Sequence, residues 1–253
     1  GVRERKSGRQ CCAVNKEGRV RFLPDRYGEG KCPVCSEDGA RGDQCDSCGA
    51  TYEAHELIDP RSKLDVESEI EVRDTEHFFL RLNDFQNSLE AHSSDRKAVW
   101  KPNVRSMSKN WLNMGLRPRA VTRDIEWGIE IPLDGEEWGS KRIYVWFEAV
   151  QGYYTCARIW AERYAAPSGH TDGIDAWKNW WLVPEKGESP RHIYFMGKDN
   201  IPFHTIIWPA ILMGLNAKDS SEVSHVPVPG GMVLEDNVSS NEYLMLQGGQ
   251  FSK

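Results

Sequence analysis

A strand–turn–helix unit at residues 192–209, with the sequence HIYFMGKDNIPFHTIIWP, constrains the fold of this chain more than any other segment. Residues 193–196 predict a short buried strand, and Pro202 suits the first turn of a helix, where a missing N–H leaves no hydrogen bond unmade. The turn between them contains Gly197, which permits close backbone approach, and Asp199, which can bind a sugar hydroxyl. Because ligands of open α/β sheets bind beyond the carboxyl ends of the strands, this turn is a candidate nucleotide site.

The second half of the chain predicts strands that alternate with helices. Residues 142–147 form a near-continuous apolar run, which is typical of a strand in a sheet covered on both faces. Apolar residues recur at helical spacing from Val150 to Tyr164, and residues 223–228 predict a further strand. The order strand, helix, strand, helix, strand predicts an α/β fold with a parallel sheet.

Further helices and strands are predicted from shorter sequence patterns. Gly115 is well placed to end a helix, and the tryptophans between residues 177 and 181 indicate a short helix. The remaining predictions are a strand at 77–82, a helix from 83 or 84 to about 92, a helix at 97–114, and a strand at 243–246 that leads into a glycine-rich loop.

Length and charge exclude some classes of protein. The chain has 253 residues, so we expect one α/β unit with a smaller appended module. Its formal net charge of -6 argues against a nucleic-acid binder that depends on electrostatic attraction, and it leaves open an RNA contact made mostly by shape. The sequence has no run of about 18 apolar residues and no secretory signal, so we expect no membrane partner and a cytoplasmic location.

Four cysteines have the spacing of a metal site. Cys32, Cys35, Cys45 and Cys48 form Cys-x2-Cys-x9-Cys-x2-Cys, and glycines such as Gly39 supply turns between them. Four thiolates around a tetrahedral ion leave no open position for a substrate, so a bound Zn²⁺ would be structural. The alternatives are two disulfides or four unrelated thiols, but an odd cysteine count and a reducing compartment favour the metal.

The other three cysteines are not expected to form a metal site. Cys11 and Cys12 are adjacent and cannot easily bind one ion together, so a second, degenerate metal site is only an alternative. Cys156 is expected to be a small buried apolar residue on a helix. Because six of the seven cysteines lie in the polar first 75 residues, that part is expected to be a small module stapled by metal.

Two groups of side chains suggest a pocket. Trp146 and Tyr153, with Ala149 between them, can form an aromatic cup for a small apolar group, although aromatic residues at this spacing also occur in ordinary cores. His204 lies four residues after Asn200, on the same face of a predicted helix. The alternative for His204 is a core histidine with satisfied hydrogen bonds.

Several of these motifs occur together in one known family. The chain resembles the methionyl-tRNA synthetases, which are class I aminoacyl-tRNA synthetases, over nearly its whole length. The residues that carry the resemblance are Phe22-Leu-Pro-Asp-Arg26, the cysteine knuckle followed by Gly49-Ala-Thr-Tyr52, Tyr144-Val-Trp146 with Ala149 and Gly152-Tyr153, and Gly197-Lys-Asp followed by Phe203-His204.

The resemblance implies an arrangement of domains and a reaction. Residues 1–140 would be the connective module, with its zinc knuckle at 30–53, and residues 141–253 the second half of the Rossmann-like catalytic domain. In the implied reaction, which uses ATP with Mg²⁺, the carboxylate of methionine attacks the α-phosphate to give methionyl-adenylate. The methionyl group then passes to tRNA(Met), a step of protein biosynthesis.

Residue roles follow from the same resemblance. Gly197 and Asp199 would hold the adenosine ribose, and Arg123, in Thr122-Arg-Asp124, would lie at the edge of the amino-acid site. Lys253 ends Gln250-Phe-Ser-Lys253, which resembles the start of the family's Lys-Met-Ser-Lys-Ser loop, and it would neutralise phosphate charge as the catalytic residue. The positions that match the methionine pocket are Trp146, Ala149, Tyr153, Asn200 and His204.

The chain also departs from the family pattern. Glu148, Gln151, Gln250 and Arg119 stand where other residue types are usual. The family's His-Ile-Gly-His motif is absent, so we expect a central fragment without the N-terminal catalytic half and the C-terminal anticodon-binding domain, unable to form methionyl-adenylate alone. The alternative functions are a non-catalytic zinc-ribbon module that binds RNA or protein, and a truncated product without an independent role.

Overall fold

A computed structural model describes residues 3–24, 27–42, 44–45, 47–48, 50, 52–135, 138–242, 244–246 and 249–250; at 3–7, 245 and 249–250 it describes the backbone only. The fold is mixed α/β, as predicted, and its contacts divide it into two compact units. The sheet unit consists of Arg3–Leu80 and Arg119–Val145, and the helical unit of Arg81–Pro118 and the described residues from Trp146 onward. The domain division predicted at residue 140 stays a prediction; residues 81–118 pack within the helical unit.

The sheet unit is built from antiparallel strands. Its largest sheet has the order β2-β1-β6-β7, in which β1 and β6 pair over twelve residues each. In a three-stranded sheet of order β4-β3-β5, the knuckle cysteines lie in the segments that connect the strands, and β8 pairs with β9. The strands are β1 Arg3–Val14, β2 Val20–Phe22, β3 Gly28–Lys31, β4 Ala40–Arg41, β5 Ile58–Ser62, β6 Glu69–Leu80, β7 Arg119–Ala120, β8 Thr122–Asp124 and β9 Lys141–Ile143.

Gly30 allows the strands β3 and β5 to approach each other closely. A Cβ atom at this position would lie 2.7 Å from the carbonyl oxygen of Ile58 on β5, so no side chain fits there. The small core beside this sheet includes two of the knuckle cysteines; its buried members are Cys32, Ala40, Cys45, Ala50, Tyr52 and Leu57.

The helical unit confirms most of the predicted helices. Gly115 follows α2 with a φ of +76°, the conformation expected of a residue that ends a helix. The elements are α1 Gln86–Asp95, α2 Pro102–Asn113, α3 Val145–Ala149, α4 Gly152–Trp160, α5 Lys178–Trp181, β10 Ile193–Gly197, α6 Trp208–Asn216, β11 Asn237–Asn241, β12 Met245–Leu246 and β13 Gly249–Gln250. Short 3-10 or π turns extend several of the helices, among them Leu82–Phe85 before α1 and Ala161–Ala165 after α4.

The predicted strand at 142–147 is wrong. β9 ends at Ile143, which pairs antiparallel with Thr122, and residues 145–149 turn into the helix α3. Val145 is 42% exposed, so the apolar run does not mark a strand buried on both faces. An apolar run of this length does not by itself separate a strand from a helix.

The predicted strand at 223–228 and the predicted burial of Cys156 are also wrong. Val226 and Val228 are each 61% exposed, and the strand that pairs with β10 in parallel is β11, whose sequence is mostly polar. Val238 on β11 is fully buried and packs in a core with Ile201, Trp100 and Val104. Cys156 is exposed, and no residue of α4 is buried.

Within the described ranges, no helix combines the length and the apolar character needed to cross a membrane.

Candidate functional site

The predicted strand, turn and helix around residues 192–209 are confirmed. β10 ends at Gly197, a 3-10 turn spans Lys198–Asn200, and a π-helical turn at Phe203–Ile207 continues into α6. Pro202 lies at the start of this helix with a φ of −62°. The polar residues after β10 therefore lie at the carboxyl end of a strand that pairs in parallel with β11.

His204 lies in the π-helical turn, and a hydrogen bond to the backbone holds its ring in place. In this turn the N–H of Trp208 bonds back to the carbonyl of Phe203, five residues earlier. The ring Nδ1 of His204 donates to the carbonyl of Asn200 at 2.9 Å, and the hydroxyl of Thr205 donates to the carbonyl of Ile201 at 3.0 Å. Side-chain donors thus satisfy two carbonyls at the start of the helix and hold His204 in one orientation.

This orientation defines the tautomer of His204. Because Nδ1 carries the proton given to Asn200, Nε2 is an acceptor, and the Tyr153 hydroxyl donates to it at 2.9 Å. Burial lowers the pKa of His204, although its bond to the Asn200 carbonyl opposes the effect, and burial raises the pKa of Tyr153. Both side chains are therefore neutral at pH 7, and the Tyr153 residue remains 41% exposed.

Tyr194 connects this pair to the strand. Its buried ring on β10 lies 4.7 Å from the Tyr153 ring and 5.5 Å from the His204 ring, centroid to centroid. Its hydroxyl accepts a hydrogen bond from Trp208 Nε1 at 3.0 Å. Tyr153, Tyr194 and His204 thus form a compact aromatic group of which one edge reaches solvent.

Trp146 and Ala149 lie on α3, just before this group. The Trp146 ring is 5.3 Å from that of Phe203, the residue before His204, and Ala149 is exposed. Asn200 is half-buried, and its side-chain amide donates to Asp199 Oδ1 at 3.3 Å. The structure therefore brings Tyr153 and His204 into direct contact, while Asn200 reaches His204 through its backbone carbonyl.

The turn after β10 is narrow. A Cβ atom on Gly197 would lie 3.0 Å from Asp199 Oδ1, so a glycine keeps the space in front of this carboxylate open. Gly197 pairs with Asn241 on β11, and Lys198 Nζ lies 3.0 Å from the carboxylate of Glu242, one residue beyond. The two predicted nucleotide-binding residues therefore share one tight turn.

Arg123 belongs to the sheet unit and is buried on β8. Its guanidinium lies 4.2 Å above the ring of Tyr144 and donates to the carbonyls of Ala120 and Thr122, each at 2.9 Å. The next residue, Asp124, accepts a bond of 2.6 Å from the ammonium of Lys141. β8 is thus held by buried polar contacts on both sides of Arg123.

Lys253, the predicted catalytic residue, lies outside the described residues. Among the described residues before it, β12 pairs antiparallel with β13 through Leu246 and Gly249.

The four cysteines of the knuckle form a cluster with the dimensions of a metal site. All four sulfurs lie within 4.8 Å of one another, with Cys32 to Cys48 at 3.8 Å and Cys35 to Cys45 at 3.7 Å. Sulfurs at the corners of a tetrahedron, each about 2.3 Å from a central zinc ion, lie about 3.8 Å apart. The cluster therefore fits a tetrahedral ion, and these distances are too long for disulfide bonds.

The backbone of the knuckle also prepares a thiolate. The N–H groups of Val34 and Cys35 lie 3.4 and 3.5 Å from Cys32 Sγ. Burial, the largest single influence, raises the pKa of the Cys32 thiol, but these N–H groups and the hydrogen bonds from the Cys35 and Cys48 thiols together outweigh it and bring the pKa down to about 7. Ser36 and Gly39 close the turn with φ values of +62° and +75°.

Sequence reasoning missed two buried groups beside the site. The first is Tyr194. A tyrosine in an otherwise apolar strand needs a hydrogen-bond partner for its hydroxyl, and this could have indicated a buried polar contact. The second is the pair of His92 and Glu235, in which the imidazole Nε2 donates to a carboxylate oxygen at 2.8 Å with both side chains fully buried. These two residues are 143 positions apart, so no local pattern relates them.

Known proteins share sequence with most of this chain. Residues 5–253 match the family model described as tRNA synthetases class I (M). The chain is 48% identical over 235 residues to a methionine–tRNA ligase of Roseiflexus sp. (strain RS-1), and 48% identical over 233 residues to one of Thermoplasma acidophilum. These alignments cover 92% of the chain but only 36% and 37% of the relatives, so the chain spans little more than a third of their length.

A solved structure has a similar fold. The crystal structure of Mycobacterium tuberculosis methionyl-tRNA synthetase bound by methionyl-adenylate aligns with 96% of this chain and 36% of that one, with a TM-score of 0.52 and 20% sequence identity. At this identity the likeness concerns the fold alone. From the family match over nearly its whole length and the identity to its relatives, the chain belongs to the methionyl-tRNA synthetases, within the class I tRNA synthetases.

Proposed function

We propose that this chain is the central part of a cytoplasmic methionine–tRNA ligase and that it supplies one wall of the site where methionine is activated. The observation that carries the proposal is the neutral Tyr153–His204 pair at the carboxyl end of a parallel strand, on a chain from this family. The complete enzyme would use ATP and Mg²⁺ to form methionyl-adenylate and would transfer the methionyl group to tRNA(Met).

Methionine would bind with its thioether against Tyr153 and His204. A thioether sulfur is polarisable and a weak hydrogen-bond acceptor, so it suits a neutral hydroxyl and imidazole better than a charged group. A protonated His204 would cost desolvation energy in this buried position, and the lowered pKa supports a neutral ring. Trp146 and Ala149 would flank the aliphatic part of the side chain, and Asn200 would orient His204.

ATP would bind beyond β10. Gly197 leaves room for the ribose, and the carboxylate of Asp199 can accept hydrogen bonds from its hydroxyls. The resemblance to the family implies a role for Arg123 at the edge of the amino-acid site, and its guanidinium is fixed by two carbonyls. Lys253 would neutralise charge that develops on the phosphates during attack on the α-phosphate. We assign these roles by position in the family.

The four-cysteine cluster would hold a structural zinc ion. Four thiolates fill a tetrahedral shell, so the ion would stabilise the knuckle and would not take part in the reaction. The surrounding core is small, and the binding free energy of the metal would add to the stability of this sheet.

Methionine-dependent exchange of pyrophosphate into ATP tests the proposal. The full-length enzyme should catalyse the exchange with methionine and not with leucine, and the isolated 253-residue chain should not catalyse it with either amino acid. Exchange by the isolated chain would contradict the claim that it supplies only one wall of the site. A full-length enzyme that prefers another amino acid would contradict the substrate assignment.

A further inference from the structure

Tyr194 lies at the centre of the aromatic group but has none of the roles described above. It lies on β10 between the exposed residues Ile193 and Phe195, and it is only 7% exposed. Its side chain therefore points into the helical unit, where its ring contacts those of Tyr153 and His204.

The hydroxyl of Tyr194 is part of a directed chain of hydrogen bonds. His192 Nε2 lies 2.6 Å from the carbonyl of Trp180 and donates to it, and in the neutral ring this makes Nδ1 an acceptor. The Tyr194 hydroxyl lies 3.3 Å from this Nδ1 and donates to it, while it accepts from Trp208 Nε1 at 3.0 Å. Its proton is therefore committed to His192, and it is not offered to a ligand.

The same hydroxyl immobilises Trp208. The indole ring is 2% exposed, and its N–H has the Tyr194 oxygen as its hydrogen-bond partner in the described structure. Loss of that oxygen would leave a buried donor unpaired, which costs more than the loss of a bond on the surface. Trp208 would have to move to recover a partner, and it follows the π-helical turn that carries His204.

We propose that Tyr194 is a positioning residue for the methionine pocket. Its ring supports Tyr153 and His204 from the strand side, and its hydroxyl fixes Trp208 at the end of the π-helical turn. Through these contacts it sets the distance between the Tyr153 hydroxyl and the His204 imidazole. This inference rests on the proposed function, since it assigns a role in the same pocket.

The test is Tyr194→Phe in the full-length enzyme, which keeps the ring and removes the oxygen. The KM for methionine should rise about tenfold, because a buried donor loses its partner at the pocket wall, and the KM for ATP should change less than about twofold. His192→Phe removes only the acceptor of the Tyr194 proton and should raise the KM for methionine by a smaller factor. Tyr164→Phe, at a tyrosine that is 66% exposed, is the matched control and should leave both constants unchanged.

The possible outcomes separate the inference from the proposed function. An active wild-type enzyme whose KM for methionine is unchanged by Tyr194→Phe would overturn the inference alone, and so would equal rises in the two KM values. If Tyr194→Phe does not fold, an unchanged KM for methionine in His192→Phe would overturn it. A wild-type enzyme without methionine-dependent exchange would contradict the proposed function and this role together.

Discussion

The hydroxyl of Tyr153 lies 2.9 Å from Nε2 of His204, and it joins α4 to the π-helical turn after β10. The bond has a definite direction, because the other ring nitrogen of His204 donates to the Asn200 carbonyl. Two neutral groups therefore face a partly open edge of the aromatic group. Such an edge suits an uncharged, polarisable ligand group.

Tyr153→Phe in the full-length enzyme should raise the KM for methionine by about three- to tenfold. The ring and its packing remain, and the change removes one neutral hydrogen bond, worth about 0.5–1.5 kcal/mol. Steady-state exchange kinetics measure the effect. Tyr154→Phe is the matched control, since the neighbouring hydroxyl accepts from the exposed Arg158 and should be dispensable. An equal effect of both substitutions would argue against a specific role of Tyr153.

Acid should destabilise the enzyme partly through His204. Burial lowers the pKa of His204 in the folded state, whereas the unfolded chain binds the proton near the ordinary histidine pKa of about 6.5. As the pH falls below about 6.5, the unfolded state therefore gains protons that the folded state lacks. The free energy of unfolding then decreases, by at most about 1.4 kcal/mol per pH unit for one group.

Melting midpoints at pH 7.5 and pH 5.5 measure this effect. The decrease between these pH values should be smaller in His204→Gln than in the wild type, because glutamine does not titrate. His170→Gln, at an exposed histidine, serves as the control and should behave like the wild type. Identical decreases in the wild type and His204→Gln would show that His204 does not contribute.

Zinc should be bound through the knuckle with one ion per chain. Cys35→Ser should reduce the bound zinc strongly, as measured by elemental analysis of the purified protein, because one of four thiolates is lost. Cys156→Ser, at an exposed cysteine outside the cluster, should keep the full complement. A chelator should lower the melting midpoint of the wild type. A wild-type protein purified without zinc would refute the assignment.

The buried His92–Glu235 pair should be important for stability. Glu235 is fully buried, and its Oε2 has no hydrogen-bond partner within the described part of the chain. Glu235→Ala would remove the acceptor of His92 Nε2 and leave a buried donor unpaired, which costs about 1–3 kcal/mol. The melting midpoint should fall by at least about 3 °C.

The matched control for this prediction is an exposed pair. The side chains of Glu67 and Lys16 form an ion pair and are 68% and 75% exposed. Glu67→Ala breaks this contact and should change the melting midpoint by less than about 2 °C. Similar shifts for the two variants would contradict the importance assigned to burial.

The sequence predicted features that depend on local spacing. The knuckle follows from two Cys-x2-Cys pairs, and β10 with its helix follows from an apolar run, a glycine turn and Pro202. Residues 142–147 were predicted wrongly, because an apolar run is compatible with a strand end and a following helix. β11 was not predicted, because its mostly polar sequence has a low propensity for strands. Its pairing with β10 outweighs that low propensity.

Long-range polar contacts were beyond the reach of the sequence. The partner of the Tyr194 hydroxyl is Trp208, 14 residues further along the chain, and Glu235 meets His92 across 143 residues. Neither pair has a spacing rule, since the fold alone brings the atoms together. For Tyr153 and His204, the sequence indicated the residues through the family resemblance, and the direction of the bond required the geometry.

Amino-acid selectivity of the full-length His204→Ala enzyme tests the central claim most directly. Pyrophosphate exchange is measured with methionine and with leucine, and the ratio of kcat/KM for the two is compared with that of the wild type. We predict that His204→Ala lowers this ratio at least about tenfold while the KM for ATP stays within about twofold. An unchanged ratio in a folded His204→Ala enzyme would contradict the assignment of this site to methionine.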